Sequence, residues 1–413
     1  MLERVVIDNF RTIRHVDWQP RALSILVGPN NAGKTNVCHA LAFLARAAQY
    51  QDLDATARDT CGAPTEIVAR DVTCGTVHLG VRALLPALEE PDRRLEYDVA
   101  IRAHPPARDG RPILTVESEV LTRADKPEWP PLLKREGDTA CVLDEWEANT
   151  QPAGVPRIVQ FDMPATQTAL SALLGTRVEA AGGVVLCRSA IEFKTYLRAF
   201  RYYSTDASGL REQAPSHEGL ALTTTGSNLF SVLSALEDED PATYDQVLEA
   251  VSRIEPRLCG LAFVPLAGGR VIAEVELRGL HDRVSLAAMS DGTLRYLALV
   301  TAALQPKMQR AREIERPTLI MFEEPGNGLY VRHQGELVNV LTELASHTQV
   351  IVTTHNPFLL DYFDDRIEDI VVVTRDDDEQ GTTLCTPNRE AVLAMLDRMS
   401  PGEMLFREVL ACE

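Results

Sequence analysis

Gly28-Pro29-Asn30-Asn31-Ala32-Gly33-Lys34-Thr35 follows the apolar run Leu23-Ser24-Ile25-Leu26-Val27 and precedes a helix-period stretch carrying Val37, Ala40, Leu41 and Leu44. The eight residues satisfy GxxxxGK[ST] in the context that gives the pattern a mechanical meaning, a buried parallel strand running into a helix. Glycines let backbone N–H groups wrap phosphates, and the helix that follows points its positive end at them. The chain is therefore expected to bind ATP or GTP, with Lys34 on the β- and γ-phosphates and Thr35 on Mg²⁺. Asn30, Asn31, Ala32, Gly33, Lys34, Thr35 and Asn36 are the candidate nucleotide contacts. A glycine-rich turn with an incidental lysine is the alternative, and the flanking strand and helix speak against it.

Composition agrees with an enzyme-sized globular chain. Its 413 residues leave room for two or three units with real cores, and 45% apolar with 24% charged residues is ordinary for such units. The net charge of −19 opposes general attraction to nucleic acid phosphates, so any DNA contact has to be local. No run approaches the ~18 apolar residues of a membrane span, and the opening MLERVVIDNF has no secretory core, so a cytoplasmic location and no membrane partner are expected. The eight cysteines form no CxxC pair, which predicts reduced packing thiols and neither a zinc knuckle nor a disulfide framework.

Residues 1–50 read as strand, turn, strand, phosphate loop and helix. Three alternating runs, near Val77–Leu84, Leu95–Ile101 and Pro112–Val120, predict an antiparallel meander. Residues 122–183 are interrupted by Pro and Gly and give no assignment. Helical periods dominate from Ile191 to about Glu255, strands return at Leu261–Pro265 and Val271–Leu277, and α/β alternation then runs to about Val373. The expected fold class is α/β, a mixed sheet with an antiparallel β meander and a helical insert. Its parts are an N-terminal core over 1–185, the insert over 186–260 and a C-terminal core over 261–413.

The second half supplies acidic and histidine groups. Pro317–Pro325, PTLIMFEEP, is an apolar strand that ends in Glu323-Glu324, where one carboxylate can serve the metal and its neighbour can polarise the attacking water. A solvated Glu pair is the bland reading. A second apolar strand, Gln349–Val352, leads into Thr353-Thr354-His355-Asn356-Pro357, which puts His355 at a strand's C-terminal edge, where sheet enzymes place ligand contacts. Ser290 is suited to cap the apolar helix that follows, and Gly292 permits close backbone approach, so the start Ser290-Asp291-Gly292 is a second candidate anion site.

In this order the motifs resemble the ABC-type ATPases of the SMC/RecF kind, and most closely the OLD-like AAA ATPases. GPNNAGKT is similar to Walker A, MSDGTLR to the ABC signature, IMFEEPGNGLY to Walker B with its D-loop, and TTHNPFLLD to the switch-histidine loop. IDNFRTIRHVDW resembles the family's first strands, which sets Phe10 and Arg11 near the nucleotide base. The resemblance covers both ends of the chain and is loose over about residues 60–280. It implies a P-loop NTPase head of ABC type that closes head to head as an ATP-dependent homodimer. Lys34 and Thr35 would hold phosphate and Mg²⁺, with Ser290, Asp291 and Gly292 at the partner's γ-phosphate. Glu323 would be the metal-side acid, Glu324 the general base and His355 the γ-phosphate sensor. Glu323 stands where ABC proteins usually have Asp, and SDG replaces SGG. Gln160 is one candidate for the lid glutamine.

Three jobs compete. The family implies an ATPase that senses or regulates, with a separate nuclease or toxin as effector, in anti-phage defence. A RecF/SMC-like DNA repair ATPase is the alternative, and a transporter's nucleotide-binding subunit is the third. Lys194, Arg198, Arg201 and Arg211 interleave with Phe193, Tyr196, Phe200, Tyr202 and Tyr203, a mixture that either binds single strands or is core at helical spacing. The run Asp376–Glu379 reads as a charged hairpin turn or as the DxD of a TOPRIM nuclease, and too little chain follows it for the ~100 residues of an added domain.

Overall fold

The run Leu23–Val27 is a fully buried strand in the computed structural model, as its unbroken apolarity requires of a strand covered on both faces. The structure describes residues 1–49, 52–69, 75–85, 92–105, 113–145, 157–175, 177–180, 183–212, 214–215, 221–267, 270–311, 318–376 and 381–407. The chain forms two units, each assembled from separate stretches. One comprises Met1–Arg21, Pro29–Phe200 and Val373–Leu384, and the other Ala22–Gly28, Arg201–Val372 and Cys385–Glu413.

The first unit is built on an eight-stranded antiparallel sheet. Leu2–Phe10 pairs with Ile13–Trp18 on one side and with Gly75–Leu85 on the other. Arg93–Ala103 and Leu114–Arg123 extend the predicted meander, with Val81 opposite Tyr97 and Tyr97 opposite Leu121. The stretch that resisted assignment adds three short strands, Leu133–Glu136, Thr139–Leu143 and Ile158–Asp162. The loop helix Lys34–Ala47 buries Val37, Ala40, Leu41 and Leu44, the residues at its i, i+3, i+4 and i+7 positions.

In the second unit the strands Leu319–Glu323, Gln349–Thr354 and Leu23–Val27 are parallel neighbours, followed by Ile370–Val372 of the next strand. Glu323 faces Thr353, and Thr354 faces Val27, so the acidic pair, the histidine and Gly28 all leave one edge of this sheet. The helices Leu229–Glu239, Pro241–Ser252, Asp291–Ala311 and Gln334–Ala345 belong to the same unit. Leu229, Val232, Leu233 and Leu236 are buried in the first of these, a helix that begins after Asn228 within the stretch where helical periods dominate the sequence. A β ribbon of Leu258–Leu266 and Arg270–Leu277 completes the unit. No helix among the described residues is long and apolar enough to cross a membrane.

Cys38, Cys61, Cys141, Cys187 and Cys259 are free thiols. Cys385 departs from the expected reduced set and is disulfide-bonded.

Candidate nucleotide-binding and catalytic site

The phosphate loop carries two residues in the left-handed region, Asn31 at φ 66° and Gly33 at φ 107°. Alternation of hands along such a loop turns successive N–H groups toward one concavity, the geometry that holds an anion. Lys34 is only 6% exposed, and its ammonium donates to the Pro29 carbonyl at 2.9 Å, so the side chain folds back over the loop it belongs to. Thr12 and Thr382 fix the loop from outside. Their hydroxyls are 2.8 Å apart, and Asn36 Nδ2 donates to Thr12 Oγ1 at 2.7 Å. A Cβ at Gly33 would collide with Thr382 and lie 2.9 Å from Thr12 Oγ1, so this glycine is required by both its conformation and its neighbours.

Phe10 is 0% exposed and its ring lies 6.3 Å from that of Phe43, so its side chain is part of the core. An apolar residue that ends a strand beside a buried helix gains more from packing than from a solvent-facing position. Arg11 donates to the Cys61 carbonyl at 2.7 Å and contacts Asn36 and His39, which ties the first strand pair to the loop helix.

In the second unit Glu324 follows the acidic strand at φ 47°, a left-handed conformation rare for a residue with a side chain. Its N–H donates to the Thr353 carbonyl at 3.0 Å, which holds it across to the neighbouring strand. His355 closes on the carboxylate twice. The His355 amide donates to Oε2 at 3.2 Å, and its ring Nδ1 lies 2.9 Å from Oε1. The two groups named from sequence as base and sensor are thus in direct contact. Glu323 is engaged elsewhere, and Tyr202 donates to its Oε2 at 2.6 Å.

Ser290 is an exposed N-cap whose hydroxyl accepts from Thr293 N at 3.2 Å, as its position predicted. Asp291 forms a 2.6 Å ion pair with Arg211, which also donates to the Met289 carbonyl at 2.9 Å. The missing Cβ of Gly292 is accounted for within its own chain. A Cβ there would lie 2.7 Å from Leu329 N and nearer still to the Gly328 carbonyl. Gln334 shapes the same turn, with Nε2 donating to Gly326 O at 3.3 Å and Leu329 O at 3.4 Å.

The interleaved aromatic and basic residues divide. Phe193, Tyr196 and Phe200 are buried, and burial raises the Tyr196 hydroxyl well above its ordinary pKa. Lys194 donates to the carbonyls of Ser171 and Leu173, both at 2.7 Å, and burial lowers its pKa. Arg211 is committed to Asp291, so these members of the set have structural roles. Gln160 is exposed on the outermost strand of the eight-stranded sheet, opposite Cys141. The turn read at Asp376–Glu379 lies, but for Asp376, outside the described residues.

Sequence reading missed Thr12, Thr382, Gln334 and the contact of Tyr202. Thr12 and Thr382 meet across 370 residues and Tyr202 meets Glu323 across 121, separations for which local spacing carries no signal, whereas Gln334 reaches back only five and eight residues. Mg²⁺ fits the donor chemistry, since Thr35 and Glu323 offer hydroxyl and carboxylate oxygens and this ion takes one or two carboxylates with phosphates and waters. Among the described residues no cluster of three His, Cys, Asp or Glu forms a cage that would bind a metal without a nucleotide.

Residues 197–361 match the family model described as AAA domain, putative AbiEii toxin, Type IV TA system. Among solved structures, the chain is similar to a SmcHead bound to the C-winged helix domain of ScpA, with 12% identity over 93% of this chain and 97% of that one, at a TM-score of 0.48. The SMC head domain from Thermotoga maritima shares 12% identity over 94% and 99%, at 0.42. An Smc head domain with an extended coiled coil, bound to the C-terminal domain of ScpA derived from Pyrococcus furiosus, shares 10% over 96% and 98%, at 0.48. No curated protein matches.

Proposed function

We propose that this chain is an ABC-type ATPase head of the SMC-like class that binds Mg²⁺-ATP, hydrolyses it and passes the nucleotide state to a separate effector. One observation carries the catalytic reading, the contact of Glu324 with His355 at the edge where the strand leading into the phosphate loop also ends. Loop amides and Lys34 bind the phosphates, with Thr35 and Glu323 on the metal. Held there, Mg²⁺ would supply charge neutralisation to the phosphates. Glu324 accepts the proton of the attacking water. His355, released from the carboxylate, reaches the γ-phosphate. Both Glu324 oxygens face His355, so the histidine has to leave the carboxylate before it can reach a γ-phosphate.

Closure is proposed to be head to head, with Ser290, Asp291 and Gly292 of one copy completing the nucleotide site of another. The effector is proposed to be a nuclease or toxin acting in anti-phage defence, and the link to a toxin system is supported by the match to a family described as a putative AbiEii toxin, Type IV TA system. The test of nucleotide binding is Lys34→Ala. Removing the ammonium leaves phosphate charge uncompensated, and calorimetric ATP binding is expected to disappear while circular dichroism is unchanged. Wild-type affinity in the folded variant would sink the assignment.

A further inference from the structure

The strand Phe200–Tyr203 neighbours Leu319–Glu323 in the sheet, and side-chain alternation sends its two tyrosines to opposite faces. Tyr203 goes to the core. Its ring stacks on Phe322 at 5.5 Å, its hydroxyl donates to Gln305 at 3.2 Å, and burial raises its pKa to about 12. Tyr202 goes the other way, to Glu323. The consecutive pair Tyr202-Tyr203 thus matches the consecutive pair Phe322-Glu323, apolar on apolar and polar on polar. The 2.6 Å separation falls in the short range of a hydroxyl donating to an ionised carboxylate.

We infer that Tyr202 is a positioning residue for the metal-side acid, its hydroxyl holding the Glu323 carboxylate in the orientation that faces Mg²⁺. The inference rests on the ATPase reading. Glu323 is one methylene longer than aspartate and has one more rotatable bond, so an unheld carboxylate spreads over more orientations than an aspartate would. A hydrogen bond to one carboxylate oxygen removes that freedom and leaves the other oxygen's orientation defined. Groups that orient a metal ligand in this way change metal affinity by roughly 10- to 100-fold when removed.

Tyr202→Phe keeps the ring and removes only the donor. Nucleotide binding is followed calorimetrically while MgCl₂ is varied at fixed ATP. The half-saturating Mg²⁺ concentration is expected to rise about tenfold, with affinity in EDTA and at saturating Mg²⁺ unchanged. Glu323→Asp, which draws the carboxylate back from the hydroxyl, serves as the second background, and there Tyr202→Phe is expected to add nothing. An unchanged Mg²⁺ midpoint in folded Tyr202→Phe overturns the inference and leaves the ATPase reading standing. So does an equal loss in both backgrounds, which would make Tyr202 a general packing residue. A wild-type protein that takes up no nucleotide at any Mg²⁺ concentration overturns both.

Discussion

Replacing Glu324 by Gln isolates the proposed proton-accepting role, because the side chain keeps its shape and one acceptor oxygen. The contact it weakens is modest. His355 is 43% exposed and Glu324 17%, and pairs open to water contribute at most about 1 kcal/mol, so the fold is expected to survive with little loss. The His355 amide, now 3.2 Å from Oε2, retains the Gln oxygen as an acceptor. Binding of ATP, which involves no proton transfer, is expected to stay within roughly threefold of wild type. Turnover depends on the base, whose removal costs roughly 10²- to 10⁴-fold, or about 3–5 kcal/mol of barrier. Single-turnover phosphate release, with the ATP dissociation constant measured in parallel, separates the two. Light scattering adds a second readout, since a variant that binds without hydrolysing is expected to accumulate the ATP-closed dimer. Loss of ATP affinity in proportion to loss of rate would refute the argument, as would wild-type phosphate release. If Glu323→Gln instead kept Mg²⁺-dependent binding and lost only turnover, the two glutamates would have to exchange roles.

Gly292→Ala drives a Cβ into the backbone of Gly328 and Leu329, which cannot swing aside as a side chain would. Overpacking of about 1–3 kcal/mol outweighs the ~1 kcal/mol of helix propensity gained, so a lower denaturation midpoint and impaired ATPase activity are expected, and an unchanged midpoint would mean that the turn does not seat on Gly292. Burial raises the Glu145 carboxyl above its ordinary 4.5 despite two hydrogen bonds from Ser189. Its favourable contribution is therefore complete below that value and is lost as pH climbs through the raised one, so Glu145→Gln should gain stability relative to wild type as pH is raised above about 4.5 in urea titrations, and a flat difference would refute this.

What was legible in the chain is what backbone periodicity writes. The unbroken apolarity of Leu23–Val27, the alternation of Val77–Leu84 and the helical spacing of Leu229, Val232, Leu233 and Leu236 each state a local structure, and each is present. The strands over 133–162 were not legible because they are four or five residues long and break the polarity rule. Arg135 is fully buried, donating to the carbonyls of Gly137 and Pro164 at 2.8 and 3.0 Å, where a charged residue reads as exposed. The packing of Phe10 against the Phe43 ring was not legible either, since the two residues lie in different elements.

Pairs across the chain form another class. Thr12 meets Thr382, and Tyr202 meets Glu323, at separations for which no local pattern exists. The contact of Glu324 with His355 was half legible, since both residues follow apolar strands, but only the register turns that likeness into proximity. Once Glu323 is the cross-strand neighbour of Thr353, residues leaving the two parallel strands must emerge at the same edge. Glu324 then turns back through its left-handed conformation, its N–H on the Thr353 carbonyl, and His355 is the nearby residue with donors to offer its carboxylate. The unusual backbone at Glu324 is in this sense part of the site's construction. An extended residue would continue the strand away from Thr353, and the base would lose the bond that brings it to the histidine.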